Sequence, residues 1–371
     1  MHPLFAETEI RFKDKALAPI WEKVRAGERL PFDDGVAMLQ TDDVLALGRM
    51  ADAYRRKLHG DRTYFVFNRH VNPTNWCVLD CVFCDYAKNP KDAHGYEMTT
   101  EEVLAHGEGG IREIHMVGGL HPRWKYEHYL DLVRQLRQRY PDLQIKAYTA
   151  VEIDFFARLA RKSVEEVLTD LVEAGLNTLP GGGAEVFSER VRQALFKQKI
   201  GADRWLEIHR IAHRMGIRSN STLLFGHIET YEERVQHVIR LRELEDEAPG
   251  FFAFIPLEFQ KGYTNLVERQ ASALDDLRTL AMSRLMFDNV PHVKSYWVML
   301  GEETASMGLN FGASDIDGTI GQERIAHAAL AASPLGLARE RLIELIREAG
   351  KIPVERDALY NVIQVHDEVA A

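Results

Sequence analysis

Residues 64–90 read YFVFNRHVNPTNWCVLDCVFCDYAKNP. The first six, YFVFNR, are short, apolar and rich in aromatic and β-branched side chains, which predicts a buried strand. A polar loop with a proline follows, and it carries all three cysteines of the chain, Cys77, Cys81 and Cys84, within eight residues. Outward from this stretch the same alternation repeats. Strands are predicted at 113–118, 145–149, 177–181, 220–226, 251–257, 294–300 and 309–314. Amphipathic segments such as SVEEVLTDLVEAG (163–175) and ADRWLEIHRIAHRMG (202–216) separate them, each closed by a glycine. Strands that alternate with helices pair in parallel, and eight such units close into a β/α barrel of the TIM type, an α/β fold. Chemistry in such a barrel sits at the C-terminal strand ends, where the cysteine loop begins.

The segment before residue 64 has a different pattern. TDDVLALGRMADAYRRKLHG (41–60) has an acidic start, apolar residues at helical spacing and Gly60 as a stop. The expected organisation is a helical N-terminal lead-in over 1–62, then a barrel with C-terminal helices over 63–371. At 371 residues the chain has room for this. The formal net charge of −10 and the lack of any Lys/Arg run argue against a nucleic-acid partner, so a small-molecule substrate is the expectation. No apolar run reaches the ~18 residues of a membrane span. The first residues, MHPLFAETEIRFKDK, lack the apolar core of a secretory signal, and a cytoplasmic location is expected.

Three cysteines in one loop cannot form a disulfide framework. Spaced as Cys-x3-Cys-x2-Cys, each can bind one iron of a 4Fe–4S cube, leaving the fourth iron without a protein ligand. An open iron suits chelation by the amino and carboxylate groups of S-adenosylmethionine. A structural zinc with His70 or His94 as fourth ligand is the alternative, although zinc knuckles normally lie far apart in sequence. A non-catalytic iron–sulfur or zinc sensor would carry the same residues.

The motif resembles that of the radical S-adenosylmethionine superfamily, in which an aromatic, here Phe83, precedes the third cysteine near the adenine. By the same resemblance, Gly118 and Gly119 of MVGGLHP bind the methionine end; from sequence alone they also suit a tight turn. STLLFGHIET resembles the adenine-packing Gly-x-Ile-x-Gly-x-x-Glu pattern: Gly226 and Glu229 match, while Thr222 and Leu224 replace the Gly and Ile. In LPGGGAEVF, the glycines Gly181, Gly182 and Gly183 can offer free N–H groups to an anion, with Glu185 beside them.

In the order NRHVNPTNWC, VGGLHP, KAYTAVEI, LPGGGAEVF, LLFGHIE and SDIDGT, nearly the whole chain resembles the futalosine-route radical enzymes of menaquinone biosynthesis, nearest the aminofutalosine synthase family. The sister cyclases acting on dehypoxanthine futalosine have a Ser-Pro-Pro-Glu-Ile type block in place of TAVEI, and the deazaflavin synthases are the next neighbours. The resemblance implies adenosyl transfer to 3-[(1-carboxyvinyl)oxy]benzoate, with rearrangement and decarboxylation, giving 6-amino-6-deoxyfutalosine. It implies a reduced donor such as flavodoxin or ferredoxin. A dicarboxylate guest needs cationic or N–H-rich partners. Candidates near predicted strand ends are Arg69, His70, Lys146, His227 and Lys294, with the Gly181–Gly183 loop and Glu185. Asp315 and Asp317 are expected to cap a helix or orient a cation. No acid or base beyond the cluster is assigned, and the helical lead-in is a candidate seal against water.

Overall fold

The computed structural model describes Phe5, residues 8–89 and residues 91–367; both ends of the expected domain ranges, 1 and 371, lie outside the described residues. Strands β1 (Arg62–Val66) and β2 (Asn68–Val71) are two halves of the first barrel strand, bent at Phe67. They are followed by β3 (Glu113–Met116), β4 (Gln144–Ala147), β5 (Ser219–Phe225), β6 (Phe251–Glu258), β7 (His292–Val293) and β8 (Asp315–Gly318). All neighbours around this ring pair in parallel. β2 pairs with β3 and β3 with β4, in the register His70↔His115↔Lys146. Single bridges at Lys146↔Thr178 and Leu179↔Ser219 carry the ring on to β5. β5 pairs with β6 and β6 with β7; Lys294 bridges to Asp315, and β8 closes on β1 at Tyr64↔Asp315. The expected eight-unit barrel is present.

Three predicted strands differ in detail. The fourth, expected at 177–181, is reduced to bridges at Thr178 and Leu179, because Gly181 turns away with φ +77°. The seventh, expected at 294–300, is over by Lys294, and Trp297–Leu300 forms a helical turn. The eighth lies at Asp315–Gly318 and not at 309–314, where Gly312 has φ +97° and packs on Arg284. An acidic DIDG strand is buried here because its carboxylates have partners. Asp315 accepts from Arg356 Nε at 2.7 Å and Asp317 from Lys294 Nζ at 3.0 Å, so neither caps a helix.

Helices do not account for the whole C-terminal region. After the helix Arg339–Glu348, β9 (Ile352–Arg356) runs parallel to β1, and β10 (Val362–Val365) returns antiparallel to β9. Below Phe67 the second edge of the first strand therefore belongs to β9, and above it to β3. The N-terminal helices Leu17–Ala26, Phe32–Gln40 and Val44–His59 lie outside the ring, against the helices Tyr231–Glu247 and Ala273–Met286. Gly48 meets Phe311 and Gly35 meets Val235, contacts that a side chain would block. This packing places the lead-in on the flank and bottom of the barrel, where His59 stacks on His292 at 4.5 Å, and not over its mouth.

Candidate active site

The loop after β2 folds back over the C-terminal end of the barrel and is held by its own polar residues. Asn75 Oδ1 accepts from Tyr96 N (2.7 Å), Thr74 Oγ1 donates to Tyr96 O (2.8 Å), and Tyr86 donates its hydroxyl to Thr74 O (2.8 Å). These contacts explain the Asn-Pro-Thr-Asn sequence before the first cysteine. Three backbone N–H groups then point at sulfur: those of Leu79 and Leu120 at Cys77 Sγ (3.5 and 3.4 Å), and that of Ala87 at Cys84 Sγ (3.4 Å). Donors aimed at sulfur favour thiolates. Burial works in the opposite direction, pushing the Cys81 thiol up to about 12 and Cys84 up as well. A metal binding here displaces the thiol protons.

The residues fit an iron–sulfur cube better than a zinc ion. A zinc draws all its thiolates to about 2.3 Å from one point. Among the described residues no three His, Cys, Asp or Glu gather in that way. His70 lies deep in the barrel, bonded to His115, and His94 is exposed. One thiolate per corner of a cube needs no such convergence.

Beneath the loop lies a cavity of about 320 Å³, within the range of ligand pockets. Cys77, Cys81, Cys84, Phe83, Gly118, Gly119, His70, Gly182, Gly183 and Glu185 all line it. At Gly119 the structure gives a reason other than ligand contact: a Cβ there would stand 2.2 Å from Trp76 O. The glycine lets β3 seat the cysteine loop, and Leu120 N, one residue on, then reaches Cys77 Sγ.

The TAVEI block closes the same corner. Thr149 caps the helix Ala150–Ala160, and Glu152 returns one oxygen to Thr149 N (2.7 Å) and Oγ1 (2.8 Å). The other Glu152 oxygen accepts from Gly118 N at 3.2 Å. Burial pushes Glu152 up to about 7, against these hydrogen bonds. Lys199 forms an ion pair with Glu185, and its ammonium lies 5.5 Å from the Phe83 ring centre. Burial would push Lys199 down, but the Glu185 carboxylate outweighs it and holds the ammonium above its ordinary value. Sequence reasoning missed Lys199, Glu152, His115 and Tyr296 as lining residues; the spacing of TAVEI as a capping box was the one signal available for Glu152.

Seven predicted contacts lie outside the cavity. Arg69 points away from the barrel interior and donates to His106 O at 3.3 Å. Lys146 pairs with Glu113 at 2.6 Å, and Lys294 with Asp317. Gly181 packs against Asn220 O, where any Cβ would stand at 1.8 Å. Glu229 ties the turn after β5, accepting from Gly226 N (2.6 Å), His227 N (2.9 Å) and Arg234 Nε (2.8 Å). Burial opposes ionisation of Glu229, yet His227 and Arg234 hold it down at about 2. Gly226, with φ +89°, belongs to that turn, and His227 folds back to Leu224 O at 3.1 Å. These groups position the walls; they do not form them. No residue of the N-terminal helices lines the cavity either, so the lead-in does not cover it; the segments around Phe259, Met299 and Ile325 line it instead.

Comparison with known proteins agrees with this geometry. The Radical SAM superfamily matches residues 71–241, and the CofH/MqnC C-terminal region matches residues 248–369. An aminodeoxyfutalosine synthase of Thermus thermophilus is 46% identical, over 97% of this chain and 99% of that one. A cyclic dehypoxanthine futalosine synthase of Halalkalibacterium halodurans is 34% identical, over 95% and 96%. The crystal structure of methylornithine synthase superposes with a TM-score of 0.71, covering 90% of this chain and 97% of the other. At 19% identity it bears on the fold alone. Among the described residues no helix is long and apolar enough to cross a membrane.

Proposed function

The chain belongs to the radical SAM superfamily, and on that premise we propose that it transfers the adenosyl group of S-adenosylmethionine to 3-[(1-carboxyvinyl)oxy]benzoate, giving 6-amino-6-deoxyfutalosine. The full-length similarity to an aminodeoxyfutalosine synthase, greater than that to the cyclic dehypoxanthine futalosine synthase, carries this proposal.

In this reading Cys77, Cys81 and Cys84 hold the 4Fe–4S cluster. Bound together, cluster and S-adenosylmethionine would supply one electron and the 5′-deoxyadenosyl radical. Phe83, Gly118 and Gly119 flank the cofactor; His70, Gly182, Gly183 and Glu185 face the substrate. In the net reaction the 5′ carbon joins the vinyl methylene and the aryl group moves from oxygen to carbon. The ether oxygen becomes a ketone, and the carboxylate departs as carbon dioxide while the electron is returned. No proton is gained or lost at carbon, so the polar groups of the cavity serve binding and exclusion of water. Lys199 sets a positive charge beside the thiolates, and Glu152 holds the Gly118 turn. The electron comes from reduced flavodoxin or ferredoxin, the protein works in the cytoplasm, and the helical lead-in ends at residue 62, where the catalytic barrel begins.

The test offers two substrates side by side to the reduced, cluster-loaded enzyme with S-adenosylmethionine. The enolpyruvyl benzoate is expected to be consumed and to gain adenosyl mass. Consumption of dehypoxanthine futalosine instead would replace this function with that of the sister cyclases.

A further inference from the structure

The floor of the cavity contains a polar group in which His70, already placed facing the substrate, is joined by two residues with no role so far, His115 and Tyr296. His70 and His115 stand opposite each other across β2 and β3 and share one hydrogen bond, Nε2 to Nδ1, at 3.1 Å. Each ring commits one nitrogen to the other, so His70 Nδ1 and His115 Nε2 bond to no described residue. Tyr296 lines the same floor, stacked 6.5 Å from His70 with 16° between the planes, and its hydroxyl also bonds to no described residue. Burial pushes both imidazoles down and the tyrosine up, which leaves all three neutral near pH 7.

The charged side chains around this group already have partners. Lys146 pairs with Glu113 at 2.6 Å, and Lys294 with Asp317 at 3.0 Å. The Glu323 carboxylate accepts from Ile325 N (2.7 Å), Ala326 N (2.9 Å) and His327 Nδ1 (2.9 Å). What faces the cavity is a set of spare hydrogen-bonding groups without net charge. A neutral imidazole pair always presents one outer donor, whichever ring holds the shared proton, and Tyr296 adds a second.

We propose that His70, His115 and Tyr296 form the cradle for the ring carboxylate of the substrate. The proposal rests on the function assigned above and specifies which end of the dicarboxylate goes where. The cysteine loop covers the top of the cavity, while the two histidines sit in the strand layer below Val117 and Gly118. The vinyl methylene that receives the 5′ carbon must lie toward the cysteines, and its own carboxylate is one carbon away. Only the carboxylate across the arene reaches down to the floor. It is also the carboxylate the product keeps, so holding it firmly opposes no bond that has to break.

The test uses cluster-loaded, oxidised enzyme with S-adenosylmethionine, which binds without turning over. It is titrated with 3-[(1-carboxyvinyl)oxy]benzoate and with 2-phenoxyacrylate, which lacks only the ring carboxylate. Two charge-assisted hydrogen bonds predict a wild-type preference of roughly 30-fold or more for the benzoate. His115→Leu and Tyr296→Phe are each expected to cut that preference about tenfold, leaving phenoxyacrylate and S-adenosylmethionine affinities and cluster absorption in place. His115→Gln, whose amide can stand in for Nε2–H, should retain part of it. A wild type that binds both ligands equally, or an unchanged preference in both the Leu and Phe variants, overturns the cradle. A wild type with the expected preference that forms no adenosylated product leaves the cradle standing and removes the reaction.

Discussion

In the proposed cluster Cys77, Cys81 and Cys84 would each supply one thiolate, while the barrel core lies elsewhere. Replacing any one by Ala is therefore expected to abolish the iron–sulfur absorption after anaerobic reconstitution, with circular dichroism and melting temperature close to wild type. A fully assembled cluster in any of the three would contradict the assignment. Gly119 makes a sharper case. From sequence it suits contact with the cofactor, whereas its missing Cβ faces Trp76 O. Gly119→Ala should thus displace the cysteine loop and lose cluster occupancy; a full cluster with weakened S-adenosylmethionine binding would restore the direct contact. Asp276 gives a pH signature. Burial with the Glu258 carboxyl nearby pushes it up to about 8, and its Oδ1 has no hydrogen-bond partner among the described residues. Between about pH 4 and 8 the folded chain holds a proton there that the unfolded chain has lost, so stability falls as pH rises through that window. One such proton is worth at most about 1.4 kcal/mol per pH unit. Asp276→Asn removes it, and the decline in melting temperature from pH 5 to 8 should become shallower; the same slope in both proteins would show that Asp276 is ionised throughout.

The capping box at Thr149 links helix to site, because Glu152 serves both the helix start and Gly118 N. Thr149→Val is expected to cost about 1 kcal/mol of stability in denaturant titration, typical of a lost N-cap. It should also weaken S-adenosylmethionine binding by freeing the Gly118 turn; loss of stability with unchanged binding would confine Thr149 to the helix. The elements that periodicity predicts best are those with strong local signals. SVEEVLTDLVEAG forms a helix from Val164 to Ala174, with Ser163 as cap and Gly175 as stop. β8 was misplaced because its signal is not local. LNFGAS has the apolar pattern of a strand, while DIDG has that of a turn, and DIDG is buried only because Arg356 and Lys294 arrive from distant segments to neutralise it. β9 escaped notice for a related reason: Pro353 demotes the run IPVER, yet it pairs with Thr63 at the edge of β1.

At the scale of the whole molecule, the closed parallel ring explains why a loop, two glycine turns and a helix cap, far apart in sequence, surround one cavity. The cysteine spacing and the glycine blocks are legible because each is a short motif contiguous in sequence. The lysines are not. Lys146 and Lys294 sit at strand positions that suggest a substrate contact, but in three dimensions each is occupied by a carboxylate, and the free polar groups of the floor are the neutral His70, His115 and Tyr296. The N-terminal helices, expected as a possible seal, brace the outer helices instead. In the proposed reaction adenosyl carbon and substrate end in one molecule. The most direct measurement follows the label from S-adenosylmethionine dideuterated at the 5′ carbon through a turnover with the enolpyruvyl benzoate. Both deuterons are predicted in the adenosylated product; label recovered chiefly in 5′-deoxyadenosine, with no adenosyl mass added to the benzoate, would contradict it.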